Sequence, residues 1–152
     1  MLPDHILVGT DFGEISRSAA DWAIDLARAL GARVTILHVF DLPIVGLLDA
    51  SLIVDAKTAS RLSDEAQAAL DAEIARVRDR GVPVTGALKQ GDSRMTIPAF
   101  ASSEGAGLVV VGSHGRHGLS RALLGSVAET IVRTSAVPVV VVRLQPAAAK
   151  SA

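Results

Sequence analysis

The stretch Leu108-Val109-Val110-Val111-Gly112-Ser113-His114-Gly115-Arg116-His117-Gly118 decides how this chain folds. Its first half is apolar without alternation, the pattern of a strand buried on both faces in a parallel sheet. Its second half is a glycine-rich loop that leads to Leu124-Gly125-Ser126 and a helical pattern ending at Thr134. That helix is read as starting at Ser120 or Leu124, with Leu124, Val127, Ala128, Ile131 and Val132 inward and Glu129–Arg133 as an outer i,i+4 pair. Working outward, four more apolar runs read as strands: Ile6–Val8, Val34–Val39, Val82–Leu88 and Val137–Val142. Helical spacing covers Ser16 to Leu30, closed by Gly31, and a second segment from Ser51 or Thr58 to Arg80. In the second, Leu62, Ala66, Leu70, Ile74 and Val77 form the stripe, and Gly81 and Pro83 stop it. A third runs from Ser93 to Glu104–Gly105, with an irregular first turn expected ahead of Pro98. Alternating strands and helices with crossover-length connections predict an α/β fold: one doubly wound five-stranded parallel sheet, order 3-2-1-4-5, helices on both faces. The strand order then reverses between strands 1 and 4. Ligands of such sheets sit outside the carboxyl ends of the strands at that reversal, here just after Val8 and Val111.

Bulk properties narrow the function. A length of 152 residues fits one domain, read as 1–144, with the Ala-rich 145–152 as a disordered tail. The formal charge of -1 and the scarcity of aromatics (one Trp, three Phe, no Tyr) argue against nucleic acid or an anionic membrane as partner. Without cysteine there is no disulfide and no thiolate chemistry. The N-terminus has no signal-peptide pattern and the apolar runs are far short of a bilayer span, so a soluble, cytoplasmic protein is expected.

Two places carry chemistry. Glycines after strand 4 let the backbone approach a ligand closely, and successive amides in such a loop form an anion-binding nest. The loop feeds a helix N-terminus, which favours anions, and Gly125-Ser126 would add N–H and O–H donors there. From Gly105 to Ala128 there is no Asp or Glu, while Arg116, Arg121, His114 and His117 are present. The competing reading is a turn that only joins strand to helix. After strand 1 comes Gly9-Thr10-Asp11-Phe12-Gly13. Asp11 faces the same crevice and suits ribose hydroxyls or an adenine amino group; alternatively it is a turn or capping aspartate. No G-x-x-x-x-G-K-[ST], G-x-G-x-x-G or G-x-S-x-G motif occurs, so a P-loop, a dinucleotide site and a serine hydrolase elbow are disfavoured. His114 and His117 lack a third ligand in view, so no metal site is assigned. No catalytic residue is assigned either, and His5 and His38 are read as structural.

These residues resemble the universal stress protein family over nearly the whole chain, from Ile6-Leu7-Val8 to Val139–Val142. The most specific part is the G-x2-G-x9-G-[S/T] pattern of its ATP-binding subgroup, here Gly112, Gly115, Gly125 and Ser126. The resemblance implies a Rossmann-like fold of the adenine nucleotide alpha hydrolase type, ATP as ligand and Mg²⁺ bridging its phosphates. It implies Asp11 at ribose or adenine, with Gly9 and Thr10 beside it, and the Val39 backbone at adenine. Val111 and Gly112 would line the site, with His114 and Arg116 in the following loop, and Gly115, Gly125, Ser126 and Val127 would hold phosphates. Gly9 stands where some ATP-binding members carry proline, and Gly13 replaces a common serine.

Strand 5, Pro138–Val142, is apolar, lacks a charged gatekeeper and lies at a sheet edge in the predicted order, which invites a homodimer by antiparallel edge pairing. The family also dimerises through this strand. Leu42–Leu48 reads first as packing against its own second helix, with a lid over adenine or a partner surface as the alternatives. Three functions stay open: an ATP-binding regulator acting on a protein partner, an enzyme amounting at most to a weak ATP hydrolase or phosphotransferase, and a nucleotide-independent interaction module.

Overall fold

A computed structural model describes residues 1–42, 55–114 and 123–144. Five strands, β1 (His5–Thr10), β2 (Arg33–Phe40), β3 (Val84–Gln90), β4 (Leu108–Gly112) and β5 (Val139–Val142), alternate with α1 (Glu14–Leu30), α2 (Ala56–Val77), α3 (Ser93–Ser103) and α4 (Ser126–Thr134). The strands form one parallel sheet in the order β3-β2-β1-β4-β5, as the sequence predicts. Ile6 is in register with both Val34 and Leu108, which makes β1 the central strand, and all six of its residues are buried.

Residues alternate between two cores. Ile6, Val8, Val34, Ile36 and Val110 pack with α1 and α2 on one face. Leu7, Leu37, Val39, Val109 and Val111 pack with α3 and α4 on the other. Burying side chains on both faces of the sheet requires the unbroken apolar runs seen in the sequence.

Helix ends follow local chemistry. Gly31 caps α1 at φ 68, its N–H donating to the carbonyl of Ala27. Asp55 caps α2 by accepting the Thr58 N–H at 2.6 Å, and a single 3-10 turn, Arg78–Arg80, carries the chain to Gly81 at φ 77. Asp92 caps α3 through the Arg94 N–H at 2.9 Å.

Three expectations need correction. The helix of α3 continues through Pro98 instead of starting irregularly. The loss there is the one bond that a Pro98 amide would have made to the carbonyl of Arg94. Helix α4 begins at Ser126, later than either expected start. It buries a narrow stripe, Ala128 and Ile131, which leaves Val127 and Val132 at 40% and 49% exposure on its two flanks rather than inward. In α2, Leu70 and Val77 are buried as expected, but so is Glu73. Its carboxylate takes two hydrogen bonds from Arg76, at 2.7 and 3.1 Å, and lies 3.7 Å from Arg17.

His5 and His38 are structural, as read. The His5 Nε2 lies 2.8 Å from Thr35 Oγ1 and its Nδ1 lies 3.3 Å from the Glu104 carbonyl, which fastens the end of α3 to the sheet. His38 Nδ1 donates to the Thr10 carbonyl at 2.8 Å, and its ring tilts against Phe12.

Candidate functional site

The first wall of the site is the turn leaving β1. Phe12 takes φ 64, a left-handed conformation uncommon outside glycine, and its N–H donates to Thr10 Oγ1 at 3.0 Å. Asp11 Oδ1 accepts the Gly13 N–H at 2.9 Å and the Ser16 hydroxyl at 2.6 Å, while the Asp11 N–H donates to Ser16 Oγ at 3.2 Å. The turn role and the place in the crevice therefore coexist: Asp11 holds the turn and also lines a cavity.

The second wall is the link from β4 to α4. The Ser113 N–H donates to the Val142 carbonyl at 2.8 Å, and the Ser113 carbonyl accepts the Gly125 N–H at 2.7 Å. The Gly125 amide is thus committed to the protein, contrary to its expected use as a ligand donor. The first intrahelical bond of α4 runs from Glu129 N–H to the Gly125 carbonyl at 2.9 Å. Helix geometry leaves the amides of Ser126, Val127 and Ala128 without an intrahelical acceptor, and Gly125 supplies no side-chain cap.

Between the walls lies a cavity of about 610 Å³, at the carboxyl ends of β1, β2 and β4 where the strand order reverses. Gly9, Thr10, Asp11, Val39, Val111, Gly112, His114, Gly125, Ser126 and Val127 all line it. These are the candidate residues within the described parts of the chain. Gly115 and Arg116 lie outside the described residues, as do His117, Arg121, 43–48 of the suggested lid and the tail 145–152.

The cavity also takes Ser93 and Ile97 from α3, which sequence reasoning missed. Nothing in their local pattern marks them, because α3 reaches the site by packing against β2, β4 and α4, elements distant from it in the sequence. Ser113 and the pair Leu123 and Leu124 border it as well. Ser113 is buried, and His114 Nδ1 lies 3.1 Å from its Oγ. The described lining carries one carboxylate, Asp11, and no Lys or Arg. Among the described residues no group of three His, Asp or Glu is placed to hold a metal, and no helix is long and apolar enough to cross a membrane.

A model of the universal stress protein family matches residues 3–143. Universal stress protein MJ0531 of Methanocaldococcus jannaschii is 34% identical over 140 residues, 91% of this chain and 81% of that one. Universal stress protein Rv2005c of Mycobacterium tuberculosis is 34% identical over 149 residues, which are 93% of this chain but 46% of that longer one. The solved structure of MJ0577, from Methanocaldococcus jannaschii, superposes with a TM-score of 0.80 at 27% identity, covering 94% of this chain and 97% of that one. Two more distant structures share the fold. One is a universal stress protein in complex with cAMP (TM-score 0.70, 24% identity, 93% and 98% covered). The other is an Arabidopsis thaliana protein with AMP bound (0.65, 17%, 98% and 97%).

Proposed function

The chain belongs to the universal stress protein family, and from that premise we propose that it binds ATP as a cytoplasmic regulator whose ligand state is passed to a protein partner. One observation carries the reading: a cavity of about 610 Å³ opens where the strand order reverses and is bordered by the N-terminus of α4, whose N-cap Gly125 supplies no side-chain cap. That volume lies in the range of about 300–1,000 Å³ usual for small-molecule sites. Amides and a helix dipole directed at one wall favour a phosphate chain.

In this reading Asp11 and Val39 meet the ribose and adenine, with Gly9, Thr10, Val111 and Gly112 as the wall around them. Ser126 and Val127 hold phosphates through their amides, together with Gly115, Arg116 and His114. Gly125 acts by its lack of a side chain rather than by its N–H. Mg²⁺ suits oxygen donors and keeps several waters. Carried in on the phosphates, it would find oxygen groups in Asp11 and the hydroxyls of Ser16 and Ser126. The fold neighbours that hold cAMP and AMP are in keeping with an adenine nucleotide.

The test is to denature the purified protein and chromatograph the supernatant, then titrate the emptied protein with Mg-ATP by calorimetry. Near-stoichiometric ATP, or binding heat on titration, supports the reading. ADP alone, with phosphate released on incubation, would shift the assignment to an ATP hydrolase. Neither nucleotide nor heat would leave an interaction module.

The same reading includes a homodimer. β5 ends the sheet, and all four of its residues are only half-buried. Antiparallel pairing of two such edges about a twofold axis would satisfy their outward backbone groups.

A further inference from the structure

Gly9 and Ile97 meet on one wall of the cavity, and each limits the size of the other. Both line the cavity, Gly9 from the end of β1 and Ile97 from the second turn of α3. A Cβ on Gly9 would stand 2.9 Å from Ile97 Cδ1 and 3.2 Å from Val111 Cγ1. The first distance is shorter than carbon–carbon contact allows, so the tip of Ile97 fills the space that a side chain at position 9 would need. The backbone does not demand glycine there. Gly9 is paired in register with Leu37 and has no left-handed conformation, so its missing side chain is a matter of room.

Ile97 has one direction in which to yield. It is buried and packs with Leu7, Leu37, Val39, Ala101 and Val109. Interiors are close-packed, so a tip pushed off Gly9 finds no space behind it and swings into the cavity that it already lines. Val39 and Val111 line the cavity beside it, which makes this wall apolar.

Resting on the reading above, in which a nucleotide places its base near Gly9, Val39 and Val111, we propose that Ile97 is a specificity-determining residue. Its tip, seated over Gly9, is the apolar surface on which the base lies, and the Gly9–Ile97 pair sizes that pocket for a purine. The wider purine covers more of this surface than a pyrimidine does and gains more by leaving water. Any side chain at position 9 drives the surface into the pocket, and a shorter one at position 97 withdraws it. Ribose and triphosphate are common to both kinds of nucleotide, so the pair acts on the choice of base and not on the hold on phosphate.

Calorimetry with the emptied full chain, Mg-ATP and Mg-CTP tests this. Wild type should prefer Mg-ATP by at least about tenfold. Gly9→Ala should weaken Mg-ATP about tenfold and Mg-CTP by less than about threefold. Ile97→Val removes Cδ1, and in the Gly9→Ala background it should return most of the lost ATP affinity; damage to packing alone would add to the first loss instead. Ile97→Ala, which withdraws the surface without touching Gly9, should also reduce the preference for ATP over CTP. That arm and the wild-type preference decide the matter even where Gly9→Ala does not fold. Equal affinity of wild type for the two nucleotides, parallel losses for both in Ile97→Ala, or a Gly9→Ala variant whose ATP affinity is unchanged or not restored by Ile97→Val would each overturn the inference while leaving nucleotide binding intact. No heat from wild type with either nucleotide would instead remove the ATP reading, and this inference with it.

Discussion

At the scale of single residues, the glycines of the phosphate-motif pattern have packing duties that a motif does not disclose. A Cβ on Gly112 would stand 2.7 Å from Ile15 Cγ2, and one on Gly125 would stand 2.8 Å from the Ser113 carbonyl oxygen. Gly112→Val should therefore cost about 1–3 kcal/mol in denaturant unfolding even without nucleotide; unchanged stability would show that α1 yields easily there. Ser126→Asp separates ligand binding from folding. A carboxylate in the first turn suits the helix dipole but repels phosphate. The melting temperature should hold while Mg-ATP affinity drops at least about tenfold, and unaltered affinity would take the α4 N-terminus out of the ligand path. His5 supplies a pH test away from the site. Burial, aided by the charge of Arg33, holds its imidazole below its ordinary pKa. The unfolded chain then binds more protons than the folded one once the pH falls below about 6.5, so stability declines from there down to the folded pKa. The denaturant midpoint followed against pH should show that decline in wild type and a shallower one in His5→Gln.

At the scale of elements, periodicity located the four α-helices and five strands of the described residues, and failed where packing selects among apolar residues. Val127 and Val132 share the apolar pattern of α4, yet a nine-residue helix has room to bury only the line between them. Glu73 looks like a surface residue in sequence and is buried because Arg76 reaches back from the next turn while Arg17 approaches from α1. The edge strand allows a direct test of dimerisation. The carbonyls of Pro138 and Val142 accept from β4, so alternation turns the N–H and C=O of Val139 and Val141 outward. Val141→Pro deletes an outward donor and no β4 bond, and proline is tolerated on sheet edges. Sedimentation should find a wild-type dimer and a monomeric variant. A monomer in both would mean that β5 does not pair with a second copy.

At the scale of the whole molecule, ligand and fold are thermodynamically linked. Mg-ATP at about a hundred times its dissociation constant should add about 2.7 kcal/mol to stability. For a chain of this size that is a rise of about 5–10 °C in melting temperature, read by scanning calorimetry; no rise would mean that the folded protein has no preferred hold on the nucleotide. The parallel sheet, its 3-2-1-4-5 order and the place of the crevice were already legible in the sequence. Uninterrupted β-branched runs separated by helical spacing admit few other packings, and the strand reversal fixes where chain ends splay apart. The glycine pattern and Asp11 were legible for the same reason, being local to the two strands that part there. Only the tertiary structure brought Ser93 and Ile97 to the cavity, committed the Gly125 amide to Ser113 and left His114 Nε2 without a partner among the described residues. Those outcomes depend on which groups meet across distant segments, and a one-dimensional pattern carries spacing along the chain but not the hydrogen-bond partner that packing delivers from elsewhere.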